Sequence, residues 1–305
     1  MIEVIEPGAL TSVQDVDGRR GWRHLGVPVG GAADPWSARL ANLLVGNPAN
    51  AALLEMTLIG PALRFQAATV LAVTGGLAAT LDAMPMPNNA ARSVRAGSLL
   101  RVESGHGARG YLAVAGGIRV AKVLGSAATD LRTGFGGHEG RALRAGDRLS
   151  FNPGGGRLFR WTGGPTLEPI RIVDGPHAGA PLTGTWRVSA RADRAGIRLD
   201  GPTLVGGEVA SMGLPSGAIQ LPPDGRPIVM LADRPVTGGY RVPALVIRAD
   251  IGRVAQLRTG DEVTFASVSL DAARSALRRT EEELTALEVL DAPADDELGW
   301  AGSHD

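Results

Sequence analysis

The sequence predicts a mainly β protein made of two related β domains with a few short helices, and three observations carry that prediction. Forty-three glycines, 20 prolines and 4% aromatic residues in 305 describe many turns between short strands, not a helical bundle. A Gly- and Pro-rich stretch over 152–167 divides the chain into two parts, each long enough to bury a core. The parts also echo each other. Ile59-Gly60-Pro61-Ala62-Leu63 parallels Asp200-Gly201-Pro202-Thr203-Leu204, and Leu143-Arg144-Ala145-Gly146-Asp147 parallels Leu257-Arg258-Thr259-Gly260-Asp261. L-R-x-G-D is also a common strand-entry turn, in which glycine takes φ > 0 and Asp bonds nearby amides. The expected units are 1–155, 166–268 and a C-terminal helix and tail, 269–305.

Each element follows from local chemistry. The runs 69–73, 110–114, 170–173, 228–231, 245–247 and 263–265 are apolar, short and bounded by Gly, Pro or Asp, as strands are. Residues 67–81 are the most apolar stretch, but Thr69, Thr74, Gly75 and Gly76 interrupt it. A membrane span needs about 20 apolar residues, so this predicts strand, glycine turn and strand. Two helices are predicted. The first follows the N-cap Asp34 and Pro35, with Ala38, Leu40, Ala41, Leu43 and Leu44 at helical spacing and Gly46 beyond its end. The second begins after Ser269, with Leu270, Ala273, Leu277, Thr280, Leu284 and Leu287 as one apolar stripe opposite charged residues. It is expected to pack on the second β unit or to dock on a partner. Beyond Pro293 the polar, acidic tail is expected to be disordered.

Composition narrows the function. With 31 basic and 31 acidic residues, the chain has no electrostatic footprint for nucleic acid or a membrane surface. It has no cysteine, so thiolate chemistry is excluded. Glu3, Glu6 and the Pro7-Gly8 turn replace the basic region of an ordinary signal peptide, which predicts a cytoplasmic protein. Lys122, the only lysine, follows no phosphate-binding glycine loop, and neither H-E-x-x-H nor G-x-S-x-G occurs. The five histidines form no close pair at metal-ligand spacing, so no metal site is expected.

Two polar clusters remain. Thr11, Gln14, Asp15, Arg19, Arg20 and His24 lie near the N-terminus. Asp15 and His24 form either an acid/base pair, with the arginines holding an anion, or part of a turn in which Asp15 bonds backbone amides and Arg19 covers the surface. In the second cluster, Gln220 precedes an apolar strand that delivers Asp233, Arg234 and Thr237 into an expected Gly238-Gly239 turn, followed by Tyr240 and Arg241. This is either a pocket rim whose amides receive an oxyanion or a structural Asp233-Arg234 ion pair. Glu55 is either a partly buried functional acid or a strand-edge residue.

With these residues in view, the chain resembles the KipA / PxpC family, whose members are called the C subunit of 5-oxoprolinase, allophanate hydrolase subunit 2 or biotin-dependent carboxyltransferase-like proteins. The blocks that carry the resemblance are LTSVQD (10–15), GVPVGGAADP (26–35), LLVGNP (43–48), Glu55 through Pro61, YLAVAGGI (111–118), GFGGHEGRALRAGD (134–147), GAIQLPPDGRPI (217–228) and LADRPVTGGY (231–240). The resemblance implies two cyclophilin-like β-barrel units. It also implies a KipI-like B subunit and an A subunit as partners in an ATP-dependent 5-oxoprolinase that opens a lactam to glutamate. Phosphorylation of the amide oxygen would create a better electrophile, so the site needs donors for phosphoryl and oxyanion charge and a base for water. Arg234, Arg241, Thr237 and the Gly238 and Gly239 amides suit the first task; Asp15, Asp233 or His24 suits the second. Gln220 and Tyr240 complete the expected substrate contacts. Two alternatives are a carboxyltransferase half using carboxybiotin and a non-enzymatic regulator of a KipI-like partner. The family's S-x-x-S-D-R-M-G reads here with Ala192 and Ala195, its S-E-G with Met212, and its T-T-G-G-Y with Val236, while Ala244 replaces an expected glycine.

Overall fold

The computed structural model describes residues 1–152, 158–162, 169–179 and 181–289. Its strands form three sheets. The first runs Ile118–Arg119, Arg148–Phe151, Ile2–Glu6, Ala62–Phe65, Leu99–Glu103, Ala78–Leu81 and Met84–Met86 in spatial order. The second runs Leu10–Gln14, Leu53–Thr57, Arg109–Val114, Thr69–Gly75, Ala90–Val94, Phe159–Arg160 and Glu288–Val289. The third is drawn from 170–267 and is centred on Gly196–Asp200, Ile228–Met230, Ala218–Leu221 and Thr237–Val246. The chain is thus mainly β, with a nearly closed, barrel-like sheet and, among the described residues, three α-helices: α1 (Pro35–Leu44), α2 (Ile251–Ala255) and α3 (Leu270–Glu283).

The first two sheets face each other across Ile2, Val4, Val13, Leu54, Met56, Phe65, Leu71, Leu100 and Leu112, all essentially solvent-free. Alternation along Leu53–Thr57 sends Leu54 and Met56 into this core and Leu53 to the opposite face. There Leu40 and Leu44 of α1 cover Val70, Tyr111 and Ala113. Each buried leucine of this kind contributes about 1.5–3 kcal/mol. A separate core under the third sheet gathers Trp186, Ile197, Leu199, Ile219, Val229, Val246 and Val254.

The predicted caps are present: Asp34 accepts from Ser37 N at 3.1 Å and Ser269 from Ala272 N at 3.1 Å. The α3 stripe differs from expectation. Leu270 is 61% exposed, while Ala276 and Leu284 are buried. The helix starts beside the Arg248–Asp250 turn of the third sheet's half, and Leu284 joins the α1 cluster, so α3 bridges both halves. Arg39 clamps Glu281 with two 2.6 Å bonds. Within the expected linker, the described residues Phe159–Arg160 are a strand; the expected disordered tail beyond Pro293 lies outside the described residues.

The two L-R-x-G-D turns share one geometry. Arg144 N donates to Asp147 Oδ2 and Arg258 N to Asp261 Oδ2, both at 2.7 Å, with Gly146 and Gly260 at φ +87 and +92. Each glycine amide then docks on a strand of its own unit, at Val4 O (2.8 Å) on Ile2–Glu6 and Val188 O (2.9 Å) on Trp186–Ala192. The Gly-Pro echo does not repeat in space. Leu63 lies opposite Val4, and the residue opposite Val188 is Leu199, not Leu204.

Candidate functional site

A buried polar chain joins the two halves. Glu55 lies between Ser12 and Tyr111 on adjacent strands, so it is on a strand paired on both sides and not an edge residue as the sequence alone also allowed. Its Oε2 accepts from Ala33 N (2.8 Å) and the Tyr111 hydroxyl (2.9 Å), and Oε1 accepts from Arg194 of the other half. Arg194 also donates to Asp233 through Nε (2.8 Å) and Nη2 (3.0 Å) and to Gly31 O at 2.8 Å. The Tyr111 oxygen in turn accepts from Asp34 N at 2.8 Å. Gln256, just after α2, donates to Asp34 Oδ2 (2.8 Å) and accepts from Arg109 N (3.0 Å). Burial pushes the Glu55 carboxyl up, but the Arg194 and Arg109 charges and the Ala33 amide outweigh it and hold Glu55 below its usual value. Burial, with the Glu55 and Asp34 charges, pushes the Tyr111 phenol well up. Burial disfavours the Arg194 charge, yet its two carboxylates raise it above the usual value. All three groups therefore hold one protonation state near neutral pH.

The structure separates the residues that the first sequence cluster grouped. Asp15 is buried, and its carboxylate accepts from Gly18 N (2.9 Å), Ser126 Oγ (2.8 Å) and Ala127 N (2.8 Å). His24 is exposed and makes no hydrogen bond to Asp15 among the described residues. That leaves the backbone-bonding reading of Asp15. Arg19 does not cover the surface. It is fully buried, stacks on Phe135 with its guanidinium carbon 4.5 Å from the ring centre, and donates to Ala128 O.

The second cluster divides too. Asp233 pairs with Arg194, not with Arg234. Gly238 and Gly239 are not a turn: they belong to the ten-residue strand Thr237–Val246, which pairs with Glu208–Gly213. A Cβ at Gly238 would collide with Gln220 Nε2 and Leu214, so close packing, not a turn, explains that glycine. Gln220 is buried over Gly238, and its Nε2 has no partner among the described residues. Thr237 and Tyr240 are exposed, and Arg241 donates to Val205 O at 3.4 Å. Of this group, only Arg234 lines the cleft described next.

That cleft, a cavity of about 770 Å³, lies between the halves, bounded by Val29, Gly30, Ala33 and α1 on one side and Ser216, Ala232 and Arg234 on the other, with α3 closing an end. Among the described residues, Arg20, Arg23, Arg39, Arg234 and Arg248 reach its lining against only Asp17 and Glu281. Arg20 pairs with Asp17 at 2.6 Å and Arg39 with Glu281. Arg23, Arg234 and Arg248 have no carboxylate within ion-pair distance among the described residues. Arg23 reaches across the cleft to Leu214 O (2.9 Å) and Val236 O (3.1 Å), and Arg234 Nε shares Leu214 O at 2.8 Å. Burial, together with the Arg23 charge, lowers Arg234 to about 10. The charge of such a wall is complementary to that of a small anion. The sequence signal for Arg194 and Arg23 was slight, since Glu55 and Gly31 lie more than a hundred residues from Arg194, Asp233 lies 39 away, and both carbonyls that Arg23 meets lie more than a hundred residues from it.

A mainly β chain with two sheet systems, a cationic cleft between them and a polar spine across the junction defines the class of protein. Similarity to known proteins makes the class specific. Residues 25–267 match the family described as "Carboxyltransferase domain, subdomain A and B". The chain is 39% identical to the C subunit of 5-oxoprolinase from Escherichia coli over 90% of this chain and 94% of that protein. It is 34% identical to the urea amidolyase of Lachancea kluyveri over 94% of this chain but 18% of that protein. The crystal structure of the Kluyveromyces lactis urea carboxylase superposes with a TM-score of 0.86 at 32% identity, over 97% of this chain and 30% of the other. That of TTHA0988 gives 0.80 at 42% identity, over 87% of this chain and 56% of the other. The chain spans about half of the latter and less than a third of the urea-metabolising proteins. It belongs to the carboxyltransferase subdomain A and B family.

Proposed function

We propose that this chain is the C subunit of an ATP-dependent 5-oxoprolinase that opens 5-oxo-L-proline to L-glutamate and is inactive alone. One observation carries the reading: the end-to-end match to the C subunit of the Escherichia coli 5-oxoprolinase, which spans 94% of that protein. The proposed assembly contains a KipI-like B subunit and an A subunit and works in the cytoplasm, and each half of this chain is read as a cyclophilin-like barrel. Among the described residues, Arg23, Arg234 and Arg248 fit the charge of phosphate or carboxylate groups. ATP is assigned to the assembled complex, where it supplies the phosphoryl group that activates the lactam oxygen. In this chain Arg234 orients an anionic group in the cleft. Asp233 pairs with Arg194 at the junction, and we read it as a positioning residue and not as the base.

A second reading, a carboxyltransferase half working with carboxybiotin, is favoured by the superposition on urea carboxylase over 97% of this chain. The test is glutamate release from 5-oxoproline by the chain coexpressed with its A and B subunits. ATP-dependent release that disappears when this chain is omitted supports the first reading. A well-formed complex that releases no glutamate but carboxylates an amide or urea nitrogen from carboxybiotin supports the second.

A further inference from the structure

The cleft wall shows which part of a substrate this chain takes. Arg234 is only 9% exposed, yet its Nε and Nη1 meet only carbonyl oxygens: Leu214 (2.8 Å), Leu231 (3.0 Å) and, more weakly, Ala232 (3.5 Å). Its Nη2 has no partner among the described residues. Arg23 donates Nη2 to Leu214 O and Val236 O, which puts two guanidinium groups on one carbonyl oxygen. Two like charges converging in a partly desolvated wall destabilise each other unless a counter-charge enters. The carboxylates nearest to hand are committed: Asp233 to Arg194, Asp17 to Arg20 and Glu281 to Arg39. Both arginines line the same cavity, which is large enough for a small organic acid.

We infer that Arg234, supported by Arg23, is an oxyanion subsite for the carboxylate or phosphoryl group of a small substrate in the cleft. Guanidinium N–H groups meet either oxyanion with charge-assisted bonds, and the two differ only in charge and number of oxygens. The assignment to the carboxylate of a lactam acid rests on the oxoprolinase reading; the subsite itself rests on the wall.

The test is calorimetric titration of the full chain with L-5-oxoproline, with 2-pyrrolidinone (the same lactam without its carboxylate) and with inorganic phosphate. Binding of 5-oxoproline at least about tenfold tighter than 2-pyrrolidinone identifies the carboxylate as the anion. Binding of phosphate but not of 5-oxoproline assigns the subsite to a phosphoryl group. Either affinity should fall about tenfold or more in Arg234→Gln and less in Arg23→Gln, whose short helical turn contains no buried residue, so that substitution spares the core. Melting temperatures confirm that both variants fold. The inference is overturned if neither anion binds at millimolar concentration, or if both variants bind as the wild type does. In the coexpressed complex, glutamate release unaffected by Arg234→Gln sinks the subsite and leaves the oxoprolinase reading standing. Anion binding by the chain without glutamate release by the wild-type complex does the reverse.

Discussion

Arg194 and Arg234 come from the same half of the molecule and are buried to a similar degree, 5% and 9% exposed, but they sit in opposite electrostatic settings. Arg194 has two carboxylates and a carbonyl around it, and its charge is locked in place. Arg234 has carbonyls and a neighbouring arginine, and its charge is held less firmly. Burial does not distinguish a structural charge from a functional one. The supply of counter-charge does. A compensated guanidinium costs stability when its partner is removed, whereas an undercompensated one is free to direct its attraction to a ligand.

The largest expected effect breaks the compensated side. Arg194→Ala strands Glu55 and Asp233 at the junction and should cost about 3–5 kcal/mol in urea denaturation, far more than Arg234→Gln. A loss below about 1 kcal/mol would show that the junction does not depend on the pair. Tyr111→Phe removes only the hydroxyl that joins Glu55 to the Asp34 amide. It should cost about 1–3 kcal/mol, because the buried amide and carboxylate lose a partner.

A third prediction concerns the matched turns. Hydrogen bonds from Arg141 outweigh partial burial and, with the Arg144 amide, lower Asp147 from 3.8 to about 2. A carboxylate depressed in the folded state contributes stability that is fully present above about pH 4 and is lost as pH falls towards 2. Asp147→Asn should therefore flatten the fall in melting temperature across that window; an unchanged slope would remove Asp147 as its source. The smallest effect belongs to the half-exposed Arg39–Glu281 clamp. Arg39→Ala should cost about 0.5 kcal/mol, and a loss of several would make α3 a mainstay of the junction.

Local features were the legible ones. The Asp34 and Ser269 caps and both L-R-x-G-D turns depend on residues within four positions of one another, and the structure has them where the sequence put them. The Gly238-Gly239 pair misled because glycine's conformational freedom and its small volume look alike in a sequence; here the volume matters, under Gln220. Glu55 stayed open between a functional acid and a strand-edge residue because nothing nearby in sequence announces Arg194, 139 positions away. An Asp233-Arg234 ion pair was one of the two readings open for that cluster because the two are adjacent, yet each side chain finds its partners elsewhere. Of the candidate site, Arg234 was named from sequence, whereas the like-charged Arg23 across the cleft is a product of the fold.

The most direct test compares KM for 5-oxoproline in glutamate release by the complex assembled with wild-type chain and with Arg234→Gln. The undercompensated wall predicts a KM raised about tenfold or more, equivalent to about 1.4 kcal/mol of lost binding, in a chain that melts close to the wild type. An unchanged KM in a folded Arg234→Gln complex would contradict the account.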